Sequence, residues 1–183
     1  EGLYKEKGSK FIAPAFPVHD EEQVKSILAT MKKQFHDARH HCYAYRIGLN
    51  DDRYRMNDDG EPSGTAGRPI YGQILSKNLT NVLIVVIRYF GGTKLGASGL
   101  VNAYKQSAKD ALEQAKIKKE IITSTIILHF PYQILNEVMR IIKENGLDIE
   151  YQDFKLDCKI AVKARIKEEK RIFTMFDKIH GVI

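Results

Sequence analysis

Six consecutive apolar residues, Val82-Leu83-Ile84-Val85-Val86-Ile87, run straight into Arg88-Tyr89-Phe90-Gly91-Gly92-Thr93-Lys94-Leu95-Gly96-Ala97-Ser98-Gly99-Leu100. This junction constrains the fold more than any other part of the chain. A run apolar on both faces predicts a central strand covered on both sides. The glycines predict a tight turn. Leu100, Tyr104, Ala108, Ala111 and Ala115 predict a helix from about Ala97 whose small-residue face packs closely on a sheet. Strand, glycine turn and helix start in this order present bare backbone N–H groups at an electropositive helix end, which suits an anion. Arg88 and Lys94 add charge there, and Ser98 a hydroxyl. The spacing is not that of a Walker A loop, nor of a dinucleotide fingerprint. The competing reading is steric: glycines that relieve clash in a tight turn.

A second loop, Asp58-Asp59-Gly60-Glu61-Pro62-Ser63-Gly64-Thr65-Ala66-Gly67, carries more turn residues than a simple connection needs. Ser63 and Thr65 can donate to an anion. Asp59 and Glu61 have the chemistry for a metal, but two carboxylates at this spacing do not specify one. The two loops are expected to be neighbours, with Gly64 to Gly67 packed near Gly91 to Gly96. Arg88, at a strand end, is either a phosphate contact or the buried partner of Asp59 or Glu61. The crowded stretch His36, Asp37, His40, His41, Cys42 reads as a polar helix-to-strand junction, because the helix that would align His36 with His40 ends there. Ser63, Ser98 and Cys42 lie in no nucleophile elbow. No catalytic residue, metal or cofactor is assigned.

Elsewhere, Lys10 to Val18 reads as a strand bent or edged at Pro14. Asp20 reads as an N-cap, followed by a helix with Val24, Ile27, Leu28, Met31 and Phe35 as its buried stripe. His41 to Ile47 reads as a strand, and Leu49 to Gly60 as a loop or hairpin tip. After the charged connector Ile117-Lys118-Lys119-Glu120 comes a pattern of strand, helix, strand, strand, helix. It predicts a ferredoxin-like unit lacking its final strand. There, Ile126, Leu128, Ile149, Tyr151, Ile160 and Val162 are expected to face Leu135, Val138, Ile142, Phe173 and Phe176. Lys159, Lys163 and Arg165 form a basic stripe that either contacts RNA or pairs with Asp148 and Glu150 on the neighbouring strand.

A chain of 183 residues with 43% apolar content suits one large domain or two small ones with real cores. Its net charge of +6 is compatible with a nucleic-acid or ribosomal partner without demanding one. Two widely separated cysteines, no secretory pattern and no membrane-length apolar run predict a cytoplasmic protein. A start without Met and the ending Gly181-Val182-Ile183 read as part of a slightly longer protein.

Four segments together resemble the YigZ/IMPACT family: Lys10 to Ala13, Asp37 to Tyr45, Asp59 to Gly67 and Arg88 to Gly96. The resemblance spans roughly residues 8 to 112, with His41 where the family usually has Asn. It implies an α+β chain of two domains. Residues 1–117 would form a domain similar to the second domain of a small-subunit ribosomal protein. Residues 121–183 would form a ferredoxin-like domain similar to the last domain of elongation factor G. It also implies a translation-associated regulatory role, since eukaryotic members compete for an activator of a starvation-responsive kinase. The expected binding surface comprises Asp59, Gly60, Glu61, Ser63, Gly64, Thr65, Gly67 and Arg68 of one loop, and Arg88, Tyr89, Gly91, Gly92, Lys94, Gly96 and Ser98 of the other. RNA or ribosome-associated components are the expected partners, with a protein partner in translation control as an alternative and no membrane. A phosphate-chemistry enzyme related to the small-molecule kinases is the rival reading, carried by Gly96-Ala97-Ser98-Gly99 alone.

Overall fold

In a computed structural model, residues 1–48 and 53–183 are described. The chain divides into two compact units, Glu1–Ile117 and Lys118–Ile183. The first contains strands β1 (Gly2–Glu6), β2 (Ser9–Ala13), β3 (Ala15–Pro17), β4 (His40–Arg46), β5 (Tyr54–Asn57) and β6 (Val82–Tyr89), with helices α1 (Glu21–Gln34), α2 (Gly67–Ser76) and α3 (Gly96–Glu113). The sheet order is β1-β2-β6-β4-β5, with β3 pairing β6 beyond the end of β2, and every pairing is antiparallel.

The apolar run is the middle of this sheet, with Leu83 to Ile87 fully buried. Its alternation divides the core into two layers. Leu83, Val85 and Ile87 join Ile12, Val24, Met31, Tyr45 and Ile47 under α1. Ile84 and Val86 join Phe11, Ile70, Ile74, Leu100, Tyr104 and Ala108 under α2 and α3. Each large apolar side chain buried this way stabilises the fold by about 1.5–3 kcal/mol. Asp20 caps α1, its carboxylate accepting from Gln23 N at 2.8 Å, while the Gln23 side chain accepts from His19 N at 3.0 Å.

Pro14 interrupts the strand without shifting its register: Ile12 pairs Ile87 and Ala15 pairs Ile84. The Pro14 carbonyl still accepts from Val85 N of β6 at 3.1 Å, so only the reciprocal bond, for which proline has no N–H, is missing from the ladder. Three elements were not legible as such. β1 is a short strand of mixed polarity, β5 lies within the stretch read as a loop, and α2 begins at the last glycine of the first loop. Of the segment read as a loop or hairpin tip from Leu49, residues 49–52 lie outside the described residues.

The second unit has β7 (Thr123–Pro131), α4 (Leu135–Glu144), β8 (Asp148–Asp153), β9 (Asp157–Arg165) and α5 (Glu169–Asp177). Its sheet order is β7-β9-β8, again antiparallel. At the outer edge of β7, Ile183 and His129 exchange two backbone hydrogen bonds of 2.9 Å. Ile126, Leu128, Phe130, Ile160 and Val162 pack with Val138, Ile142, Ile172 and Phe176. Two expected core positions are corrected. Tyr151 is 51% exposed, because the register slips between Ile149 and Tyr151 and turns Tyr151 to the face opposite the helices. Phe173 is 58% exposed, since its neighbour Ile172 takes the buried position and adjacent helix residues cannot both face the sheet.

Candidate functional site

The first loop opens with a tight turn. Asp59 (φ 39°) and Gly60 (φ 87°) are both left-handed, and Glu61 N donates to the Asp58 carbonyl at 2.9 Å. A second turn follows, Thr65 N to Pro62 O at 3.0 Å, with Gly64 left-handed at φ 75°. Three carboxylates then fix the loop, each engaged by groups of this unit; that of Asp59, 28% exposed, also lies 3.7 Å from Lys32 Nζ.

The Asp58 carboxylate accepts from Gly64 N (2.9 Å), Ala66 N (3.0 Å) and Gly67 N (2.8 Å), so it caps the start of α2 from outside the helix. Burial pushes its pKa up, but the three backbone donors outweigh this and hold it below the ordinary Asp value. Asp59 accepts from His41 N at 2.7 Å, while His40 Nδ1 lies 2.9 Å from the Asp59 carbonyl. The Glu61 side chain is buried; its Oε1 accepts from Arg88 Nη1 at 2.6 Å and from Tyr104 Oη at 2.8 Å. The Cys42 thiol completes the cluster, 3.0 Å from the Asp58 carbonyl and 3.3 Å from Tyr104 Oη. Burial pushes the Cys42 pKa up to about 12 and raises that of Tyr104, so both stay protonated.

Arg88 therefore sits in a buried ion pair, the second of its two sequence readings. Its guanidinium lies over Phe11 at 5.5 Å and Phe90 at 5.7 Å, and its Nε has no hydrogen-bond partner among the described residues. Arg88 and Glu61 are thereby removed from the outward surface and hold the first loop to β6 and α3. The loops are joined through this pair and not through their glycines. Gly91 backs onto the β1–β2 hairpin, where an added methyl would collide with the backbone of Gly8 and Ser9, and Gly91 N donates to the Ser9 hydroxyl at 3.1 Å. Gly67 packs instead on Asn57.

What remains outward is mostly backbone, hydroxyl and cation. Gly60, Ser63, Arg68, Gly91, Gly92, Lys94, Gly96 and Ser98 are exposed, and no side chain caps the first turn of α3. Gly92 (φ 87°) and Gly96 (φ 72°) are left-handed with open space where a Cβ would sit. Thr65 is buried, its hydroxyl donating to the Pro62 carbonyl. Tyr89 donates to Asp37 at 2.8 Å, which lowers the Asp37 pKa.

The histidine junction folds inward too. His41 is buried, with Nε2 3.2 Å from the Phe35 carbonyl; burial lowers its pKa against the opposing pull of Asp59. Among the described residues, no group of three or more His, Cys, Asp or Glu is placed to hold a metal ion. In the second unit Lys163 pairs with Glu150 at 2.8 Å, and Thr125 donates to the same carboxylate at 2.7 Å. Arg165 is exposed and Lys159 half-buried.

Residues 7–112 match the Impact N-terminal domain, a span that contains both loops. The chain belongs to the IMPACT family. IMPACT family member YigZ of Escherichia coli is 33% identical over 155 residues, covering 82% of this chain and 76% of that protein. IMPACT family member YvyE of Bacillus subtilis is 36% identical over 137 residues, 75% of this chain but 63% of its own length. A crystal structure of a hypothetical protein covers 99% of this chain and 90% of its own at TM-score 0.71 and 28% identity. The two-domain translational regulator Yih1 superposes more loosely, over 61% of this chain at TM-score 0.40 and 24% identity. Among the described residues no helix is long and apolar enough to cross a membrane.

Sequence reasoning missed Asp58, Ser9, Cys42 and Tyr104 as parts of the site. Asp58 carried a signal, an Asp opening a loop that ends in a helix start. Tyr104 read only as core, and nothing local to it announces that its hydroxyl meets Glu61.

Proposed function

We propose that this IMPACT family chain is a cytoplasmic, non-enzymatic, translation-associated protein that binds phosphate groups of RNA through the outward faces of its two glycine loops. The observation that carries this reading is the engagement of the Asp58, Asp59 and Glu61 carboxylates by groups of the same unit. A loop rich in carboxylates would repel phosphate. With these three engaged by backbone amides, Lys32, Arg88 and Tyr104, the outer surface offers Arg68, Lys94, Ser63, Ser98 and the amides of Gly92 to Gly96. Phosphate contacts of this kind position RNA without reading its sequence. Membership of the IMPACT family, with the translation-associated role that the family resemblance implies, supports the setting.

Arg88 and Glu61 act in this reading as the clamp that holds the first loop, not as ligands. In the second unit, Arg165 and Lys159 remain as further RNA contacts, while Lys163 is engaged by Glu150.

Fluorescence anisotropy with a labelled single-stranded RNA at several salt concentrations tests the proposal. Lys94→Ala and Arg68→Ala should each weaken binding and reduce the slope of log K against log salt by about 0.7, the value for one phosphate contact on a single strand. Unchanged affinity in both variants overturns the loop assignment. The kinase-like rival makes a different prediction. A nucleotide turnover of about one per second, abolished by Ser98→Ala, would replace the non-enzymatic reading.

A further inference from the structure

We propose that the β1–β2 hairpin completes a surface for single-stranded RNA beside the second glycine turn, with Lys5, Lys7 and Lys10 contacting phosphates and Phe90 stacking on a base. The inference rests on the RNA reading above and extends it to residues outside both loops.

The hairpin and the turn are one structural unit, since Gly91 backs onto Gly8 and donates to Ser9. The register carries the lysines to the same end of the sheet: Lys5 pairs Lys10, and Lys10 pairs Tyr89, two residues before Gly91. Lys7 occupies the hairpin tip, between Glu6 and Gly8. Lys5, Lys7, Lys10 and Lys94 are all exposed, and among the described residues none has an ion-pair partner.

Two features show that these charges are kept against local structural preference. Lys5 and Lys10 stand directly opposite each other, and like charges so placed across an antiparallel pair destabilise it. Glu6 does not relieve them, because strand alternation puts it on the opposite face, where its carboxylate accepts from the Tyr4 hydroxyl at 3.1 Å. Lys7 and Gly8 form a two-residue hairpin with φ 45° and 78°. Both positions of such a turn need left-handed backbone, so the first favours Asn, Asp or Gly; here it holds a lysine. An anion bound at this end removes the repulsion and uses the charge at the tip.

The surroundings point the same way. From Pro62 to Lys109 the chain has no Asp or Glu; of its cations Arg68 and Lys94 are exposed, while Arg88 is buried against Glu61 and Lys109 pairs with Glu113. Phe90 stands 55% exposed where β6 meets the glycine turn, its ring 5.7 Å from the Arg88 guanidinium on the Phe11 face of the sheet. Lys5 and Lys10 share the other face with Tyr89, so an RNA strand reaching both passes around this end of the sheet. Cations around an exposed aromatic ring are the elements of single-strand recognition, in which phosphates meet lysines and an unstacked base lies on the ring. A duplex offers phosphates but no free base face.

The test compares a labelled single-stranded RNA with the duplex of the same sequence. Replacing Lys5, Lys7 and Lys10 together by Gln should weaken single-strand binding at least tenfold and lower the salt slope by about 2, the sum of three phosphate contacts. Phe90→Leu should weaken it about 5- to 50-fold, with the slope unchanged and duplex binding unaffected. Lys5→Glu should weaken binding while raising the melting temperature, because it sets opposite charges across the strand pair; a damaged fold lowers both. If the triple variant keeps wild-type affinity and slope while Lys94→Ala binds weakly, the hairpin is not part of the surface and the glycine-loop reading survives. If the wild-type protein fails to bind single-stranded RNA even at low salt, both readings fall. Equal binding of single strand and duplex, with Phe90→Leu silent, overturns the single-strand assignment, as does preference for an acidic peptide over RNA.

Discussion

The two glycine-rich loops of the first unit look alike in sequence and are built on opposite plans. The loop at residues 58–67 is fixed by side chains: Asp58 caps α2, Asp59 holds the start of β4, and Glu61 reaches the core to meet Arg88 and Tyr104. The turn at residues 91–96 is fixed by backbone shape. Gly91 fits against Gly8 and Ser9 because it has no side chain, and Gly92 and Gly96 take left-handed conformations in open space. Glycine richness therefore marks two different constraints, room for a carboxylate-fastened loop and close approach of two main chains. The first loop should fail through lost charge pairing, the second through added bulk.

The largest expected effect tests the first plan. Glu61→Ala leaves the Arg88 charge buried without its partner and should cost about 3–5 kcal/mol in urea denaturation. Replacing both, Glu61→Leu with Arg88→Met, should recover most of that loss, since an apolar pair of similar volume needs no compensating charge. A loss under about 1 kcal/mol for Glu61→Ala would show that the loop is held by Asp58 and Asp59 alone.

Gly91→Ala tests the second plan and should cost about 1–3 kcal/mol through overpacking against the hairpin. Gly92→Ala, where the methyl meets nothing, should cost only the left-handed penalty of about 1 kcal/mol. Equal losses at the two positions would mean that backbone conformation, not the hairpin contact, governs this turn.

A smaller effect separates the plans by pH. The folded pKa of His41 is lowered, so its contribution is present above the ordinary His value of 6.5 and fades as pH falls below it. Thermal melts between about pH 7.5 and 5.5 should show falling stability, and His41→Asn should flatten that fall. Asp58, also lowered, adds a further loss only as pH drops through the carboxylate range. The second turn contains no such group, so Gly91→Ala should leave the profile parallel to wild type. A profile unchanged by His41→Asn would remove His41 from the linkage.

The smallest effect lies outside both loops. Lys163→Ala breaks an exposed pair with Glu150 and should change stability by less than about 1 kcal/mol. A larger loss would make that open sheet face a structural network comparable to the first loop.

Long periodic elements were legible because their signal is local. The stripe Val24, Ile27, Leu28, Met31, Phe35 gave α1, the apolar run gave β6, and the face from Leu100 to Ala111 gave α3. What failed was short or depended on pairing. β5 has four residues and gains its identity from β4. Tyr151 was assigned to the wrong face because one inserted residue reverses strand parity, and nothing in Leu147 to Gln152 marks where the slip falls. Arg88 kept two readings at the sequence level, since a strand-end arginine before a glycine turn serves phosphate or carboxylate equally well; its partner, Glu61, lies 27 residues away.

By itself the sequence determined that a buried strand enters a glycine turn at a helix start, that a second turn-rich loop precedes it, and that a charged connector at residues 117–120 parts two textures of chain. Those are properties of neighbours, set by periodicity, chain stiffness and the backbone freedom of glycine. Only the tertiary structure decided which way the charges face. It engaged three loop carboxylates, buried Arg88, and set the hairpin that carries Lys5, Lys7 and Lys10 against Gly91. The direction of a side chain follows from strand register and from the partner that removes the cost of burying its charge, and both are settled by contacts between residues far apart in the chain.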